Sequence, residues 1–124
     1  MQIRSGAVLC VLLCALTAGS AGADDKPAQT PDFKKEVLPI FEAKCIRCHG
    51  AQRRGGKLDM RSLEALRTGG ASGPAIKPGN AKESLLIELI HFNEMPPKKE
   101  TPRVTKEELG LLRKWIDAMP APSK

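Results

Sequence analysis

Apolar residues recur at helical spacing in several separated stretches of this chain, and they almost nowhere alternate as a strand requires. Phe33, Val37, Ile40 and Phe41 form the first stretch, with Thr30 placed to cap it and Pro31 at the first helical position. Pro39 interrupts that pattern, so the helix is expected to kink or restart there. A short helix is expected next, capped by Ser62, with Leu63 and Leu66 inward and Gly69-Gly70 as its stop. Asn80 with Glu83 resembles a capping box opening a helix with Leu85, Leu86, Leu89 and Ile90, which ends near His91. Thr105 and Glu108 form a second such box before Leu109, Leu112, Trp115, Ile116 and Met119, which give the last helix its apolar face. The glycines and paired arginines over 50–56 and the Gly- and Pro-rich stretch over 71–79 read as loops. No internal repeat is visible, and the pattern predicts a small all-α domain with long loops.

The N-terminal apolar run belongs to none of these helices. Arg4 precedes Ala7 to Leu16, small residues follow, and Ala21-Gly22-Ala23 forms an A-x-A cleavage site. This is the three-part pattern of a secretory signal peptide over residues 1–23, with cleavage near Ala23. The run is too short to span a bilayer, which takes about 20 residues. No transmembrane span is therefore expected in the mature chain. A polar linker over 24–30 follows, then one domain over 31–120 and a tail over 121–124. Such a small domain buries only about two-thirds of its unfolded surface. With 3% aromatic residues, it is short of core volume, and a buried cofactor would supply the missing apolar mass.

Cleavage removes Cys10 and Cys14 and leaves Cys45 and Cys48 in Cys45-Ile46-Arg47-Cys48-His49. C-x-x-C-H reads as a covalent c-type haem attachment site. Cysteines three apart lie on one side of a helical turn, where both sulfurs can form thioethers to the vinyl groups of one porphyrin. His49 then lies beneath the iron as proximal ligand. Attachment of this kind takes place outside the cytoplasmic membrane, in keeping with an exported, periplasmic chain. A thioredoxin-like pair would need a βαβ context that the pattern lacks. A structural zinc module using Cys45, Cys48 and His91 would lack a second Cys pair.

Met60, Met95 and Met119 are the methionines left to fill the sixth position. Met119 falls in a helical stripe where core packing explains it. Met95 stands in the loop Asn93-Glu94-Met95-Pro96-Pro97, where two prolines stiffen the backbone beyond it. It is the favoured sixth ligand. His91 is its rival, as a second imidazole on the iron or as the distal acid-base group of a small haem peroxidase with an open sixth position, though at the end of a helix it could equally make a C-terminal dipole contact.

The formal charge of +6 falls by one with Arg4. Its cations are interleaved with acids, and no aromatic-basic groove suggests nucleic-acid binding. Lys44, Arg47, Arg53, Arg54 and Lys57 flank the motif. They suggest a docking face for redox partners with acidic surfaces.

These motifs in order resemble a class I cytochrome c domain, and more closely the planctomycete-type cytochrome c module. The resemblance runs through Val37 to Phe41, Cys45 to Gly50, Gly55 to Asp59, Gly69 to Pro78, Glu83 to Leu86, Met95-Pro96-Pro97 and Leu112 to Ala118. It implies a cytochrome c-like helical fold around one covalently attached haem c. It also implies single-electron transfer rather than catalysis. Cys45 and Cys48 would carry the thioethers, with His49 and Met95 on the iron. Gly73-Pro74 looks like the loop whose proline carbonyl accepts the proximal histidine's Nδ1–H, which would make Pro74 the residue that orients His49. The module usually sits within longer chains, whose functions are not carried over here; a monomer or one subunit of a redox complex is expected.

Overall fold

The computed structural model describes residues 29–122. The expected signal peptide and cleavage site lie outside the described residues, as do most of the linker and the end of the tail. Within them the fold is all-α: α1 Leu38–Lys44, α2 Leu63–Thr68, α3 Leu85–His91 and α4 Lys106–Asp117, with no strand among the described residues. No helix there is long and apolar enough to cross a membrane.

A widened turn, Phe33–Val37, leads into α1. Its bonds run back five residues, from Val37 N–H to the Asp32 carbonyl at 3.2 Å. Pro39 has no N–H to continue a regular ladder, and the regular α-helix begins at Leu38 beside it, the restart that Pro39 predicts. The cap is Asp32, not Thr30. Asp32 Oδ1 accepts from Lys35 N–H at 2.8 Å, while Glu36 returns a carboxylate to Asp32 N–H at 2.7 Å.

Ser62 caps α2 through Ala65 N–H at 3.2 Å, and Thr105 and Glu108 close the expected box on α4. Asn80 behaves differently from its motif. It caps only a tight turn, Ala81–Glu83, and α3 starts afterwards at Leu85. The reason is Ser84, a buried side chain whose Oγ accepts from Lys77 N–H at 2.8 Å and donates to the Asn80 carbonyl at 2.9 Å. That diversion bends the chain between turn and helix.

The core joins all four helices through Val37, Phe41, Leu66, Ile76, Ile87, Leu112 and Ile116. Trp115 stacks on Phe33 at 5.6 Å and meets the edge of Phe41 at 6.3 Å between ring centroids. These few aromatics therefore work as one cluster at the α1–α4 contact. Met60 and Met119 are buried in the same core, which leaves Met95 as the methionine outside it among the described residues.

Candidate functional site

The C-x-x-C-H segment leaves α1 in a series of turns. Cys45 and Ile46 N–H both bond back to the Phe41 carbonyl, and His49 N–H to the Cys45 carbonyl at 2.9 Å. Main-chain bonds then fold the loop onto the motif, with Gly55 N–H on the Cys48 carbonyl and Met60 N–H on the His49 carbonyl, each at 2.8 Å. Two clefts open along this surface. One is walled by Lys44, Cys45, Leu86, Ile90 and Pro102, the other by Gly55, Leu58, Gly70, Leu85 and Leu89. Their cavity volumes are about 110 and 330 Å³, which together lie within the usual range for small-molecule and cofactor sites. Cys48, His49, Met95 and Pro97 line both clefts.

His49 Nδ1 lies 2.8 Å from the Gly55 carbonyl. A carbonyl only accepts, so Nδ1 carries the proton and Nε2 keeps its lone pair. That is the tautomer a metal-ligating imidazole needs. The acceptor corrects the expectation for Pro74. Gly69 takes φ +77°, and a Cβ there would sit 1.9 Å from the Gly73 carbonyl oxygen. This tight bend carries Pro74 to a separate groove with Arg67, Ile76 and Lys77. Gly55 is nearer in sequence to His49 and its carbonyl is already aimed by the loop.

His91 stands in the last turn of α3, away from the two clefts. It lies about 200° round α3 from Leu89, and lines a different cleft with Ile87, Arg113 and Asp117. Its Nδ1 is 3.4 Å from Arg113 Nη2 and its ring packs edge-on against Phe92. It joins neither Cys45 and Cys48 as a zinc ligand nor His49 as a second imidazole or distal base. Among the described residues, no three His, Cys, Asp or Glu side chains gather as a metal site.

Met95 returns to the cleft face because its N–H bonds to the Leu89 carbonyl at 3.0 Å. It is half-buried. Burial pushes the Cys45 thiol up to about 12, so a free thiol there stays protonated at neutral pH. A neutral thioether suits the same apolar wall. Two sulfurs, an imidazole with a free Nε2, a thioether and leucine walls fit a covalently held haem.

Three of the five cations in the expected docking face are tied to acids. Lys44 pairs with Glu108, Arg47 with Glu100, and Arg54 lies 3.8 Å from Asp59. Burial pushes the Glu108 carboxyl up, but the Lys44 ammonium and the Thr105 N–H outweigh it and hold the carboxyl below its ordinary range. Arg53 and Lys57 remain as exposed cations of that group.

No curated protein and no solved structure matches the chain. Residues 45–99 match the family described as Planctomycete cytochrome C, a span that begins at Cys45 and takes in His49 and Met95. This match supports a planctomycete-type cytochrome c domain over those residues, a family that implies covalently attached haem c.

Proposed function

We propose that this is an exported monohaem c-type cytochrome carrying single electrons between redox partners, with His49 and Met95 as its axial ligands. The observation that carries the reading is that Cys48, His49 and Met95 wall the same two clefts while His49 Nδ1 is anchored on the Gly55 carbonyl. Bound haem supplies an iron centre that gains and loses one electron with no bond made or broken. Cys45 and Cys48 would hold the porphyrin as thioethers. The Gly55 carbonyl fixes the imidazole angle and holds the ring proton on Nδ1. Leu85, Leu86, Leu89 and Ile90 exclude water from the ligand faces. A His/Met pair raises the reduction potential relative to ligand sets with harder donors. The leader pattern of residues 1–23 supports export, and the domain over 31–120 contains every residue the carrier role requires.

The visible spectrum of the purified full-length chain tests the reading. Ferric protein should show a weak sulfur-to-iron band in the far red. Met95→Ala should abolish it and lower the potential, while His91→Ala should leave both unchanged. Cys45→Ser with Cys48→Ser should release haem on denaturation. A band that survives Met95→Ala, or haem that stays bound to the denatured double variant, overturns the assignment.

A further inference from the structure

Met95 reaches the clefts from the irregular segment between α3 and α4. Its N-terminal side is well held. Asn93 takes φ +65° just past the end of α3, its N–H bonds to the Ile90 carbonyl at 3.1 Å, and Glu94 N–H bonds to the Leu89 carbonyl at 2.8 Å. That is a Schellman stop with asparagine in the left-handed position usually given to glycine. On the C-terminal side Pro96 and Pro97 have no N–H to offer, and the main-chain bond there is the single one from Glu100 N–H to the Pro97 carbonyl at 2.8 Å.

Arg103 ties the two sides together. Its Nε and Nη2 donate to Asn93 Oδ1 at 3.1 and 2.6 Å, Nη2 also reaches the Asn93 carbonyl at 3.4 Å, and Nη1 donates to the Pro97 carbonyl at 3.1 Å. One planar group thus grips the chain two residues before Met95 and two residues after it. The Arg103 carbonyl in turn accepts from Lys44 Nζ at 2.7 Å, and Lys44 pairs with Glu108 at the start of α4. Lys44 is the residue before Cys45. The Met95 loop, the attachment segment and α4 therefore meet at Arg103.

We propose that Arg103 is the positioning residue for Met95, clamping both shoulders of its loop so that the thioether is held at the cleft it shares with His49. The proposal rests on Met95 as distal ligand. A neutral thioether is a weak donor, so its occupancy depends on how firmly the scaffold presents it. A guanidinium suits the task because its fork is rigid and presents several N–H groups in one plane. Lysine would offer a point charge that reaches one shoulder at a time.

The test uses the full chain with haem attached. Imidazole is titrated into ferric wild type, Arg103→Ala, Arg103→Lys, Asn93→Gly and Met95→Ala, alongside the far-red band and the helical circular dichroism. Arg103→Ala should keep covalent haem and helix content, weaken the far-red band, and bind imidazole at least about tenfold more tightly, since all four guanidinium contacts are lost and one charge-assisted hydrogen bond alone is worth about that factor. Arg103→Lys should fall between. Asn93→Gly keeps the left-handed turn and removes one acceptor, so it should shift imidazole affinity in the same direction and decides the matter if Arg103→Ala does not fold. Wild-type band and affinity in Arg103→Ala, or in Asn93→Gly where that variant decides, overturn the clamp. If Met95→Ala itself leaves the band and affinity unchanged, the ligand reading fails instead.

Discussion

Gly70 has room for a hydrogen and little else. A Cβ there would lie 2.3 Å from the Gly56 carbonyl oxygen and 3.1 Å from Leu58 Cβ. The closeness is functional, since Ala71 N–H bonds that same Gly56 carbonyl at 2.7 Å and so pins the post-motif loop against the second cleft wall. Backbone atoms cannot swing aside as a side-chain tip can. Gly70→Ala should therefore cost about 1–3 kcal/mol, the usual range for overpacking. A denaturant titration of the haem-loaded protein checks this. An unchanged midpoint would mean that the loop yields at no cost and that the cleft wall is softer than its packing suggests.

Among the elements, α4 is the most firmly started. Thr105 Oγ1 accepts from Glu108 N–H at 3.2 Å and Glu108 Oε2 accepts from Thr105 N–H at 2.7 Å. The same Glu108 oxygen also meets Lys44. Thr105→Ala should lower stability by about 1 kcal/mol, the typical cost of a lost N-cap, read as a reduced urea midpoint with an unchanged slope. A variant as stable as wild type would show that the Lys44 contact alone sets the start of α4. Caps such as Ser62 and Thr105 are readable in sequence because partner and cap lie within one turn. The same holds for C-x-x-C-H, whose chemistry is local, and for the loop proline pair that marks Met95. Asn80 misleads because the side chain that decides its role, Ser84, bonds back across the turn. Arg103 is silent in sequence because its acceptors lie six and ten residues away in irregular chain. Pro74 looked right by motif, but a bend at Gly69 that no periodicity reveals sends it elsewhere.

The molecule as a whole has a small core, so its surface ion pairs near the haem motif carry weight at low pH. Asp59 is held down to about 2 by hydrogen bonds from the Arg61 side chain and N–H, with Arg54 adding to the field. A depressed carboxyl favours the fold while it is ionised. Its contribution is present above the ordinary carboxylate range and fades as pH falls through that range toward 2. Wild type should thus lose stability more steeply than Asp59→Asn between about pH 4 and pH 2. Added salt should shrink the difference, because the group is near the surface. Parallel acid titrations followed by circular dichroism measure it. Identical slopes for the two proteins would locate acid sensitivity in another carboxylate.

The partner that His49 takes has a consequence for how this chain tolerates change over time. Gly55 offers its main-chain oxygen to Nδ1, and every amino acid owns such an oxygen. No single replacement of a side chain deletes the acceptor itself; substitution can only move it. A Cβ at 55 would stand 3.3 Å from His49 Cε1, near enough to nudge the ring without unseating it. Mutation at this position therefore works as a graded adjustment of imidazole tilt, not as an on–off change. A loop that keeps its path keeps the same histidine tautomer, whatever side chain stands at 55.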